Sequence, residues 1–162
     1  TSLIAEHADV MLDPIRAGAE RAGRSLDDID IQINGQIAVS DDVDSLVARA
    51  RPGMAFTLGG MGSATTNFYN NAYSRAGWAD VCEEVRQLWV DGDRAAAVAA
   101  VPDELVLSAH AIGTEQMVRQ RVRALDTAGV NSLRIAPQGT SSADQIAHLE
   151  MAVDLIHTET AA

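Results

Sequence analysis

Between Ile29 and Val39 the chain alternates in character. Ile29, Ile31, Ile33, Ile37 and Val39 fall on one parity, and Asp30, Gln32, Asn34, Gln36 and Ala38 on the other. A period of two is the mark of an extended strand with one aliphatic and one polar face. On both sides of it the period changes to that of a helix. Ala8, Met11, Leu12, Ile15, Ala19 and Ala22 form a stripe before it, and Val43, Leu46, Val47 and Ala50 form one after it. Pro14 either bends the first helix or opens a second one capped by Asp13, and Gly23 ends it. Ser40-Asp41-Asp42 starts the following helix and Pro52-Gly53 is its expected stop.

A second strand-helix unit lies near the carboxy terminus. Met117, Val118, Val122 and Leu125 make a helical stripe closed by Gly129, and Val130 to Ala136 reads as a strand ending in Pro137-Gln138-Gly139. Ser142 with Gln145 predicts a capping box for a last helix whose buried face is Ile146, Leu149, Val153 and Ile156. Between the two units, from about 52 to 109, no long strand is evident. Trp78, Val81, Cys82, Val85, Leu88 and Trp89 lie on one helical face, so this segment reads as a helical excursion. Alternating helices and strands predict an α/β class with parallel strands. A doubly wound sheet and a barrel share this local grammar.

Inside the excursion stands Gly59-Gly60-Met61-Gly62-Ser63, a glycine-dense turn with Ser63 placed to cap a following helix. Leu58-Gly-Gly-Met-Gly-Ser63, Asn67-Phe-Tyr-Asn70, Val101-Pro-Asp-Glu-Leu-Val106, Gly113-Thr-Glu-Gln116 and Gly129-Val-Asn-Ser-Leu-Arg134 occur in that order. Together they resemble the carboxy-terminal half of luciferase-like monooxygenases, over about 5 to 156. The closest likeness is to the group that uses a deazaflavin, coenzyme F-420, in place of a flavin.

That resemblance implies an eight-stranded (β/α) barrel of the TIM type, with residues 1–162 as its carboxy-terminal half. The two strands would be its last two, and the helical insertion at about 52–109 would lie over the mouth. A complete barrel takes about 250 residues, so 162 residues imply a fragment. The function implied is hydride transfer between coenzyme F-420, or alternatively FMN, and a small-molecule substrate, with the cofactor carrying the chemistry. The fragment alone would be inactive. Its open faces would need the missing amino-terminal half or a second copy of the chain, which makes a homo-oligomer the expectation. The reading from a different class is a stand-alone small α/β protein that binds a ligand or partner without catalysis.

Candidate binding residues follow from the pattern. Gln32, Asn34 and Gln36 share the polar face of the first strand, where buried amides need a cofactor edge, a water or a neighbouring strand as partner. Arg134 lies on the alternate face of the second strand, suited to a phosphate or carboxylate, or to one of the 23 acidic residues. Gly59, Gly60, Met61 and Gly62 either touch a ligand or form a tight turn. The turn lacks the lysine of a phosphate-binding Walker loop, since the chain has none.

Composition narrows the partners. The formal net charge is −11, and an acidic surface without basic clusters disfavours nucleic acid and anionic membranes. No apolar run approaches the roughly 20 residues needed to span a bilayer, so a cytoplasmic setting is expected. His7, His110, His148 and His157 are too scattered to suggest a metal site, and no nucleophile or acid-base pair stands out.

Overall fold

A computed structural model describes residues 3–63 and 66–160. The first helix, α1 (Asp9–Arg21), runs unbroken through Pro14, because the ring lies on the exposed side while Leu12 and Ala19 are buried. A 3-10 turn at Leu26–Asp28 then occupies the approach to the strand, capped reciprocally by Ser25 and Asp28. The alternating segment is therefore shorter than its pattern. It forms β1 (Gln32–Gly35) and β2 (Ile37–Val39), interrupted at Gln36.

The excursion is helical among its described residues. After α2 (Val43–Ala55), which runs into it, it comprises α3 (Phe68–Tyr73), α4 (Ala79–Val90), α5 (Arg94–Ala99) and α6 (Asp103–Ala109), with π-helical turns at Phe56–Gly60 and Ser74–Trp78. α2 does not stop at Pro52-Gly53. Both of those residues are exposed, while Ala50, Met54, Ala55 and Leu58 are at most 3% exposed, so core packing carries the helix past its breaker. Ser63 is not the cap of α3. Asn67 is, accepting from Asn70 N, while Ser63 closes a turn onto Thr66.

A third stretch of strand, β3 (Ala111–Gly113), follows α6; it is too short for its period to show in the sequence. Next come α7 (Glu115–Thr127), capped by Thr114, then β4 (Ser132–Ile135) and α8 (Ser142–Thr160). The capping box of α8 is one residue earlier than expected. Ser141 Oγ accepts from Asp144 N and Asp144 Oδ2 accepts from Ser141 N. Its buried residues are Ala152 and Leu155, whereas Ile146 and Val153 are 56% and 46% exposed.

All pairing is parallel. β1 pairs with β4 (Gln32↔Ser132, Asn34↔Arg134) and β2 with β3 (Ile37↔Ala111, Ala38↔Ile112). Ile31 O accepts from Asn131 N, whereas Gln36 O accepts from Ala111 N and Ser40 N donates to Gly113 O. Odd and even positions bond across opposite edges of an extended chain, so β4 and β3 flank the β1/β2 segment on either side.

Helices cover one face of this arrangement at β1 to β4 and the other face only at β2 and β3. Ile37 and Ala111 pack with Val118, Val122, Ala152 and Leu155 of α7 and α8. Their neighbours Ala38 and Ile112 pack with Leu46 and Val47 of α2 and with Leu105 and Val106 of the excursion. Consecutive barrel strands would pair β3 with β4. Among the described residues they do not pair, so the class is α/β with parallel strands and the arrangement is open. Three strand positions cannot close a barrel.

Candidate functional site

The polar face of the strands is uncovered next to the excursion. Gln32 and Ser132, then Asn34 and Arg134, stand side by side in register. One row further, His110 immediately precedes β3 and lies level with Gln36, whose carbonyl binds Ala111 N. Over these rows is a cleft of about 620 Å³, within the usual range for small-molecule sites. Asn34, Gln36, His110 and Arg134 border it from the strands, and Thr57, Met61 and Tyr69 from the excursion.

Four of the residues singled out in the sequence thus meet in one place: Asn34, Gln36, Met61 and Arg134. Gln32 lies a row away, its amide 3.4 Å from Ser132 Oγ, outside the cleft lining. The three amides are exposed, because nothing in the described chain covers this part of the face. Gly59, Gly60 and Gly62 do not line the cleft either; each answers a steric demand. A Cβ on Gly59 would fall 2.5 Å from Trp89 Cβ, one on Gly60 2.6 Å from the Phe56 ring, and Gly62 has φ +78° with Thr66 O 2.2 Å from its would-be Cβ. They bring Met61 to the cleft by letting the turn pack tightly on α4.

Two buried asparagines hold that turn. Asn67 Nδ2 donates to Thr57 O and Leu58 O, both at 3.0 Å, and Asn70 Nδ2 donates to Leu58 O at 2.9 Å and Cys82 O at 2.8 Å. The π-helical turn leaves carbonyls that a regular helix would satisfy, and the amides supply the missing donors. Tyr69 lies between the two asparagines in sequence, so the same bonds place it at the cleft.

His110 was not legible as a site residue. Its only sequence signal is adjacency to β3, a strand too short to recognise. Its Nδ1 is buried and has no hydrogen-bond partner among the described residues. Burial, then the nearby Arg121 guanidinium, push its pKa down to about 4, so the ring is neutral near pH 7. With amides, a neutral imidazole and one guanidinium, the lining is suited to holding a polar-edged ligand. It presents no carboxylate or thiol for acid-base or nucleophilic work.

A second cleft of about 330 Å³ continues past Gln36, Ala136 and Pro137, which it shares with the first, to Ala38, Leu46, Arg49, Ile112 and Gln138. Elsewhere, an apolar groove of about 460 Å³ beside β4 is bordered by Val122, Leu125, Leu133, Val153 and Ile156. None of the sequence-selected residues reaches it.

The sequence profile of the family described as luciferase-like monooxygenase matches residues 4–132. The chain is also similar to a protein of Mycobacterium tuberculosis provisionally named a coenzyme F-420-dependent oxidoreductase. The two are 34% identical over 128 residues, which are 79% of this chain and 36% of the relative. This chain therefore spans about a third of the length of that relative.

Proposed function

Because the chain belongs to the luciferase-like monooxygenase family, we propose that it is the carboxy-terminal part of an oxidoreductase that transfers hydride between coenzyme F-420, or FMN, and a small organic substrate. On this reading residues 1–162 contribute the last strands of a barrel, and the polar face of β1 and β4 is its interior wall. The setting is cytoplasmic. One observation carries the proposal: Asn34, Gln36, His110 and Arg134 occupy successive rows of an open polar face beneath Met61 and Tyr69, while the opposite face is packed against helices.

The residues present fit such a cofactor. His110 Nδ1 is an orphaned buried ring nitrogen, and a flavin-like ring has an edge of donors and acceptors to meet it. The bound group would supply the hydride chemistry. The chain's own part is to bind and orient. The Asn34 and Gln36 amides offer both donors and acceptors to a ring edge, His110 offers one neutral ring nitrogen, and Met61 with Tyr69 excludes water from above. Arg134 holds an anionic group. None of these residues needs to change its protonation state.

Fluorescence titration of the 162-residue chain with coenzyme F-420 and with FMN tests the assignment. Half a pocket buries too little of a ring for tight binding, so the chain alone is expected to bind both weakly. Adding the remaining part of the parent protein should give tight binding and hydride transfer. Submicromolar binding by the isolated monomer would place the cofactor site wholly within this chain, and no transfer by the completed protein would overturn the activity.

A further inference from the structure

The two joined clefts carry an unexpected charge pattern. The chain has 23 acidic residues and a net charge of −11, yet no aspartate or glutamate lines either cleft. Each cleft instead presents one arginine, Arg134 in the first and Arg49 in the second. Neither makes a hydrogen bond or ion pair among the described residues. Other arginines are engaged: Arg51 with Asp103, Arg86 with Glu83, Arg121 with Glu6. Arg21 is unpaired among the described residues as well but lies outside the clefts; Arg134 and Arg49 differ in bordering joined clefts that no acidic residue lines, where an anion meets attraction without a competing carboxylate.

Arg134 is level with Asn34 in the first cleft, and Arg49 reaches the second from α2; the two clefts meet at Gln36, Ala136 and Pro137. Between them the lining is uncharged: Gln36 and Gln138 amides, and Ala136 and Pro137.

We infer that the joined clefts bind an elongated ligand with a negative group at each end, a carboxylate or phosphate at Arg134 and another at Arg49, with its uncharged body along Gln36. A guanidinium grips either anion by paired N–H donors. The inference rests on the ligand site lying over this face, and it goes beyond the reaction type by naming the ligand's charge and shape. The anions belong either to the cofactor or to the substrate.

Calorimetric titration of the full chain distinguishes these sources. Suberate against its monomethyl ester varies one charge on a linear skeleton; FMN against riboflavin varies the charge on a ring ligand. In at least one pair the more charged member should bind about tenfold tighter, the worth of one charge-assisted contact. Arg49→Ala and Arg134→Ala should each reduce or abolish that preference. Arg21→Ala, which removes an unpaired arginine far from the clefts, should leave it intact. A preference confined to suberate assigns the anions to the substrate, and one confined to FMN to the cofactor. No preference in either pair, a preference that survives both cleft substitutions, or equal loss with Arg21→Ala would overturn the inference. Both arginines are exposed, and unchanged melting of the variants separates lost binding from lost fold. Retained anion preference in a completed protein that transfers no hydride would refute the oxidoreductase reading alone.

Discussion

His148 Nε2 lies 2.8 Å from the carbonyl oxygen of Ile37. That carbonyl points to the edge that β4 has left, and Gln138 Nε2 reaches it as well, at 3.3 Å. Since Nε2 must donate, Nδ1 is the acceptor, and Gln138 N approaches it at 3.4 Å. One imidazole thus ties the strand interruption to the turn after β4.

His148→Ala should therefore destabilise the protein by about 1–3 kcal/mol, the cost of leaving a buried acceptor short of partners. Urea denaturation measures it. A change below about 0.5 kcal/mol, typical of surface sites, would show that Gln138 alone satisfies the carbonyl.

Asn70→Ala should cost about 1–3 kcal/mol, because it removes the buried donor that bridges Leu58 O and Cys82 O and leaves Leu58 O to Asn67 Nδ2 alone. Asn71→Ala, at the exposed neighbour, is the control and should be close to neutral. Equal melting temperatures for the two variants would contradict the buried amide clamp.

Gly59→Ala should destabilise by about 1–3 kcal/mol through overpacking against Trp89. The clash is pairwise, so the penalty should shrink in a Trp89→Ala background. A double-mutant cycle showing full additivity would mean that the glycine serves something other than this contact.

The pKa of His110 is about 4 in the folded chain against about 6.5 unfolded. The unfolded state therefore binds the extra proton first as pH falls. Stability from the neutral ring is complete above about 6.5 and is lost between there and about 4, by up to about 3 kcal/mol. His110→Gln should flatten the pH dependence of stability in that window relative to the parent. Parallel curves for the two proteins would refute the depressed pKa.

The exposed Ile146, and the exposed Val153 that borders the apolar groove at β4, should drive self-association unless another polypeptide segment covers them. Light scattering of the purified chain is expected to exceed 17.1 kDa, and Val153→Glu should lower it. A cooperative monomer would favour the stand-alone binding protein.

Long-period features were legible in the sequence. The stripes of α2, α4 and α7 and the polar-aliphatic alternation of β1 survive in the fold, since burial of one face is what writes such patterns; in β2 the alternation fails, with Ala38 buried and Val39 exposed. Three kinds of feature were hidden. β3 has only three residues, too few to show a period. Pro14 and Pro52 read as breaks, but their exposed rings leave the buried side of each helix free to continue. In α8, Ile146 and Val153 suggested a buried stripe that the described chain has nothing to cover. The same split holds for the site: the alternation marked Asn34 and Gln36, while His110 and Tyr69 depend on tertiary placement.

β1 finds its partner a hundred residues downstream, where the Asn131 side chain binds Ile31 N and Ile29 O ahead of the ladder with β4. During synthesis the β1 edge therefore stays unpaired until the segment from Asn131 onward has left the ribosome. Such late, non-local closure is slow, and an uncovered strand edge invites foreign pairing. The β1–β4 ladder cannot form before Ser132 is made, so truncation before Ser132 should yield an insoluble product.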